Sequence, residues 1–174
     1  MDNQVTAKDA IDELMQHRRE QGKRPPMLRR VYALHKTNRH LLDFLVQELR
    51  DVRESGWSCA SVRSLWEYAR WVLAKRRVPG EDFAMLNAIA PYYARIICIL
   101  HPDFNGFFVM NKSQADADLG TVLEPVAGAS KPGYIRRLLW VDGTPIESGW
   151  RPTTPHEPKP VSRRERVRRK PVAA

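Results

Sequence analysis

The sequence predicts a mainly α protein: a small helical bundle with a helix-turn-helix-like core, a short appended β-hairpin and a disordered basic C-terminal tail. Three observations predict it. Apolar residues recur at helical spacing through much of residues 1–110. The pair Asp142-Gly143, between Leu138-Leu139-Trp140-Val141 and Ile146, is the one hairpin signature. The stretch after Gly149 is rich in proline and then arginine, with almost nothing apolar to bury. Four segments follow: an amphipathic helix and basic linker over 1–26, a helical core domain over 27–110, an irregular extension with the hairpin over 111–150, and the basic tail over 151–174.

In chain order, Thr6 with Asp9 caps a first helix whose single apolar stripe is Ala7, Ala10, Ile11, Leu14 and Met15, ending near Gly22. Lys23-Arg24-Pro25-Pro26 is a stiff basic linker. Met27 to Lys36 forms one short helix, with Val31, Tyr32 and Leu34 turned inward. Asn38 caps the next, whose buried face is Leu41, Leu42, Leu45, Leu49 and Val52, and Gly56 ends it.

Ser61 to Phe108 is the stretch around which the rest is organised. After Ser61 as N-cap, Val62, Leu65, Trp66, Ala69, Val72 and Leu73 follow the i, i+3, i+4, i+7 rhythm of one helical face. Arg63, Ser64, Glu67, Arg70, Trp71 and Lys75 line the other face, so this helix is half exposed. Val78-Pro79-Gly80 breaks it, because proline lacks an N–H and glycine frees the turn. Asn87 caps a second helix with Pro91 in its first turn; Ile89, Tyr92, Tyr93, Ile96, Ile97 and Leu100 fill its inner face. Cys98 and Ile99 make most of its remainder apolar too, which marks a buried helix. His101-Pro102 closes it, and Phe104, Phe107 and Phe108 fold back over its end.

The run Leu34-His35-x-x-Asn38, then Leu65-Trp66-Glu67-x-x-Arg70-Trp71, then Asp82-Phe83-x-x-Leu86-Asn87, Tyr93-Ala94-Arg95 and Gly106-Phe107-Phe108, resembles a group of small proteins encoded by phages and prophages. The resemblance covers residues 30–110 and contains no catalytic motif. Members carry proline after the asparagine and asparagines after the leucine, where this chain has Arg39 and Ala88. The resemblance implies a phage-like or bacterial setting and a helical, helix-turn-helix-like fold; the group has no established activity to transfer.

The formal charge of +9 is unevenly placed. Eight Lys/Arg against one acid between His17 and Arg39 give +7, and eight against two from Arg151 onward give +6, which leaves −4 for the remainder. A polyanion would therefore be gripped at the periphery. Arg163, Arg164, Arg166, Arg168, Arg169 and Lys170 form the strongest nucleic-acid signal, with Lys23 and Arg24 in the second basic segment. On the half-exposed helix Arg63 and Arg70 are candidates, although Arg63–Glu67 and Glu67–Arg70 stand at ion-pair spacing, the usual pattern of a solvated face. The helix from Asn87 to His101 offers Pro91, Ala94, Arg95 and Cys98 on its outer side, of which only Arg95 reads bases; a core helix is the better reading.

Catalysis is not indicated. His17, His35, His40, His101 and His156 are scattered, and Asp116-Ala117-Asp118 lacks further ligands at calcium-loop spacing. No glycine-rich phosphate loop, nucleophile motif or paired Cys-x-x-Cys is present. Cys59 and Cys98 read as reduced thiols of a cytoplasmic protein, and no apolar run is long enough to span a bilayer. The expectation is a protein with no metal, cofactor, small-molecule substrate or membrane partner. Two function classes remain. One is a phage-type nucleic-acid-binding accessory or regulatory protein that grips phosphates through its basic segments. The other is a protein-interaction module, an inhibitor or adaptor of a host factor, with an incidental tail. Tyr68, Trp71 and the Thr6–Gln21 helix offer apolar surface beyond one small domain's needs, so a homo-oligomer or protein partner is expected.

Overall fold

A computed structural model describes residues 11–13, 16, 20, 26–75, 85–127 and 135–147. These are mostly helical, with two two-stranded sheets. The helices are α1 (Pro26–Thr37), α2 (His40–Glu54), α3 (Val62–Lys75), α4 (Ala90–Leu100) and the short α5 (Gln114–Leu119). The strands are β1 (Ala60–Ser61), β2 (Phe108–Val109), β3 (Thr121–Pro125) and β4 (Arg136–Trp140). Residues 11–13, 16 and 20 are also helical, and Ile11 is buried in the same core as the rest. That part of the N-terminal stripe therefore docks on its own domain.

α4 is the centre. Every residue from Ala90 to Ile99 except Pro91 is buried, as its all-round apolar sequence requires. α2 and α3 pack on it from one side and α5 from another. The α2 contribution is an aliphatic stripe, Leu41, Leu42, Leu45, Val46 and Leu49. Deleting one such side chain to alanine costs about 2–5 kcal/mol. Gly56 then takes φ 87°, its N–H bonds the Arg53 carbonyl at 2.9 Å and the Trp57 N–H reaches Val52 at 3.3 Å, so the helix ends in a Schellman turn. At the start of α3 the Ser61 hydroxyl accepts from the Ser64 N–H at 3.4 Å. Phe104, Phe107 and Phe108 are buried beyond the end of α4, and Arg53 lies 4.0 Å over the Phe104 ring.

The structure corrects several expected details. Asn38 does not cap α2: its side-chain amide donates to the Leu34 carbonyl at 3.1 Å and so closes the end of α1, while Arg39 occupies the α2 N-cap in helical conformation. Asn87 does not cap α4 either. It opens a 3₁₀ turn, Asn87–Ile89, that runs directly into the helix, and its side-chain oxygen accepts from Arg70. The core-helix reading of α4, by contrast, holds: Ala94, Arg95 and Cys98 are buried, and Arg95 donates to the Asn111 carbonyl in the segment leading to α5.

The largest departure lies beyond Met110. The expected irregular stretch contains α5, opened by a capping box in which Ser113 and Asp116 bond each other's backbone N–H groups or close neighbours: Ser113 N–H to Asp116 at 2.8 Å and Ala115 N–H to the Ser113 hydroxyl at 3.2 Å. β3 follows and pairs antiparallel with β4, Thr121 opposite Trp140 through Pro125 opposite Arg136. The Asp142-Gly143 turn forms, with Gly143 at φ 83°, but its returning arm makes only an isolated bridge from Pro145 to Leu139. The principal partner of β4 is thus β3, which the hairpin reading did not supply. Ala115, Leu119, Leu138 and Ile146 join the common core, so the hydrophobic interior continues past Met110. Parallel pairing of β1 with β2 (Ala60 with Phe108, Ser61 with Val109) ties the start of α3 to this second half.

Candidate nucleic-acid interface

α3 has two faces of opposite character. Inward, Trp66 is 1% exposed and its ring lies 5.1 Å from that of Tyr93 on α4. Outward, Tyr68 is 44% and Trp71 57% exposed. Tyr68 bridges the half-buried Phe44 of α2, stacked at 6.1 Å between centroids, and Trp71, tilted at 6.5 Å. The Lys75 ammonium sits 3.2 Å from the Trp71 ring centroid, one helical turn on. An exposed aromatic row ending in a cation is what the i, i+3/i+4 spacing of Tyr68, Trp71 and Lys75 produces on one helical side.

A cavity of about 580 Å³ lies where the first turns of α3 and α4 meet residues 109–113. Its walls include Trp66, Pro91, Ala94 and Met110, and its charged lining residues, Arg63, Arg95 and Lys112, are all basic. Arg95 is fixed at its inner end. The guanidinium makes a bidentate pair with Asp116, Nε to Oδ1 at 2.7 Å and Nη2 to Oδ2 at 3.0 Å, and donates to the carbonyls of Pro91 at 3.1 Å and Asn111 at 2.9 Å. Asp116 therefore caps α5 and neutralises the one cation buried on α4. Beside it, the Tyr92 hydroxyl donates to Asp118 at 2.5 Å, and burial with that carboxylate alongside pushes the phenol far above its ordinary range. Burial also raises Cys98 to about 12, so this thiol is unreactive packing.

Of the basic residues singled out from the sequence, Arg63 is exposed at the rim of this cavity. Arg70 is half-buried and bonded within the domain, to Glu67 at 3.0 Å, to the Met85 carbonyl and to Asn87. It braces the start of α4. Lys23, Arg24, Arg163, Arg164, Arg166, Arg168, Arg169 and Lys170 lie outside the described residues. Lys112 was missed by sequence reasoning. The signal that could have found it is the Ser113-x-x-Asp116 capping box directly after it, which marks a helix start rather than a polar loop. Among the described residues no three His, Cys, Asp or Glu side chains gather as a metal would need, and no helix is long and apolar enough to cross a membrane.

Comparison with protein-family models, with curated proteins and with solved structures gave no match.

Proposed function

We propose that the chain is a nucleic-acid-binding accessory or regulatory protein of phage type, holding single-stranded regions by base stacking on α3 and by phosphate contacts from its basic segments. The observation that carries this reading is the exposed Tyr68–Trp71 row with Lys75 against it. Aromatic faces beside cations suit single strands, because every base has a face to stack and every linkage a charge. Such binding is sequence-tolerant. α4, the helix that a groove-reading protein would expose, is buried and its arginine is committed to Asp116. The phosphate share falls to the tail arginines Arg163 to Lys170 and to the Lys23-Arg24 segment.

A salt titration of fluorescence anisotropy with a single-stranded oligonucleotide tests it. Contacts to about four to six phosphates give a slope of log K against log salt near −3 to −4 on single strands. Truncation after Gly149 is expected to remove most of that slope while leaving helicity unchanged. Equal slopes for the full and truncated chains overturn the role of the tail.

A second reading, a protein-interaction module, is favoured by Trp57, which is 65% exposed and stands apart from any cation contact named above. Pull-down with and without nuclease separates the two, since a partner bridged by nucleic acid is lost on digestion.

A further inference from the structure

The exposed aromatic row of α3 is flanked by positive charge at both ends. Lys75 sits against Trp71 at the C-terminal end. At the N-terminal end stands Arg63, on the rim of the cavity between the starts of α3 and α4. Lys112 lines the same cavity from the segment that leads into α5. Both side chains belong to exposed residues, and so do Ser61 and Asn111, which add a hydroxyl and an amide to the lining.

The two cations are free because the nearby acids are already engaged. Spacing alone would pair Arg63 with Glu67, but Glu67 holds Arg70 at 3.0 Å. Asp116, close to Lys112 in sequence, holds Arg95 at 2.7 Å. No described carboxylate lines the cavity, and neither Arg63 nor Lys112 has a hydrogen-bond or ion-pair partner among the described residues. A guanidinium and an ammonium at one opening, with hydroxyl and amide donors beside them, complement a single oxyanion group. These contacts all lie at the surface; the buried wall of Trp66, Ala94 and Met110 takes no part in them.

The position of Arg63 says which oxyanion fits. It precedes Trp71 on the same helix by about 12 Å along the axis and about a quarter turn around it. A few linked nucleotides cover that path. The one acid between them on α3, Glu67, is neutralised by Arg70. We infer that Arg63 and Lys112 grip a backbone phosphate of the strand whose bases stack on Tyr68 and Trp71. The strand then runs along α3 from the cavity mouth to Lys75, and the folded domain has a phosphate contact of its own beside those of the tail. This inference rests on the stacking reading and adds to it the track of the strand.

The test is anisotropy of the full chain with a single-stranded oligonucleotide across a range of salt. It compares the unaltered protein with Arg63→Gln/Lys112→Gln and with a control, Arg50→Gln/Arg137→Gln, which removes two exposed cations elsewhere on the domain. The cavity variant is expected to bind all base compositions more weakly and to make the slope of log K against log salt shallower by about 0.7, one phosphate's share on single strands. The control is expected to leave that slope unchanged. An unchanged slope in the cavity variant, or an equal change in the control, overturns the assignment. In ¹⁵N–¹H spectra of the unaltered chain, the Asn111 and Lys112 amides are expected to shift on addition of the oligonucleotide, and no shift there overturns it too. An oligoglutamate peptide, which has the charge but no bases, is expected to bind far more weakly; equal binding assigns the cavity mouth to an acidic protein instead. Tyr68→Ala/Trp71→Ala separates the two readings. Full affinity in that variant, with a shallower slope in the cavity variant, overturns the stack and leaves the phosphate contact. Weakened binding there, with an unchanged slope in the cavity variant, overturns the phosphate contact and leaves the stack.

Discussion

α3 and α4 are packed side by side, and each carries arginine among aromatic residues, yet the two helices use them in opposite ways. On α4, Tyr92, Tyr93 and Arg95 are all at most 2% exposed, and the arginine survives burial only because Asp116 and two carbonyls satisfy it. On α3, Tyr68 and Trp71 face solvent and Arg63 is exposed at a cavity rim. What decides the difference is the second half of the chain. α5 and residues 109–113 cover α4, while the Tyr68–Trp71 side of α3 meets Phe44 of α2 and stays about half exposed. On α4 the arginine is structural because a neighbour brings a carboxylate; on α3 Arg63 stays at the surface.

That contrast can be broken first at Arg95. Arg95→Leu strands the Asp116 carboxylate and two carbonyls, and is expected to lower unfolding free energy by about 3–5 kcal/mol in denaturant titrations. A loss below about 1 kcal/mol shows that the pair is dispensable and α4 less enclosed than described.

A smaller effect comes from pH. His35 and His101 are held below the ordinary histidine value of 6.5, in each case mainly by burial. Asp43 and Asp12 around His35, and Asp103 around His101, pull the other way without overcoming it, while Arg39 and Arg50 add to the lowering. A depressed folded-state value means that the unfolded chain takes up protons first. The stability contribution is complete above 6.5 and declines as pH falls toward the lower folded-state values. Thermal melts are expected to move to lower temperature on acidification below 6.5, and His35→Gln/His101→Gln should flatten that decline. Melting temperatures that rise on acidification over that window contradict it.

The smallest effects belong to exposed pairs. Glu124→Ala removes the 2.6 Å contact to Arg137 across β3 and β4, where both side chains are largely exposed. Its expected cost is within about 0–1 kcal/mol. Tyr68→Ala and Trp71→Ala remove rings that are 44% and 57% exposed, and each is expected to cost about 1 kcal/mol of stability. A large loss at either would turn the outer face of α3 into core and remove it as a binding surface.

α2, α3 and α4 were legible because their periodicity is strong: the leucines of α2 and the all-round apolar character of α4 leave little choice. The exposure of Tyr68 and Trp71 was legible for the same reason. Less legible was what a polar side chain bonds. Asn38 and Asn87 have N-cap chemistry, but the chain reaches its helices through a helical Arg39 and a 3₁₀ turn, so both side chains serve other partners. β3 escaped notice because Thr121-Val-Leu-Glu-Pro is short and ends in proline, and its partner lies across a glycine-rich stretch. The cavity was illegible because Trp66, Ala94 and Lys112 meet only through the β1–β2 pairing and the turn into α5.

The central claim is that the outer face of α3 stacks bases. Its most direct measurement is the affinity of Tyr68→Ala/Trp71→Ala for a single-stranded oligonucleotide, by anisotropy at fixed salt and beside the unaltered chain. Each lost stack is expected to cost about 1–3 kcal/mol in binding, with the salt slope unchanged because no phosphate contact has been removed. Unchanged affinity in a variant that keeps its helical spectrum would contradict the account.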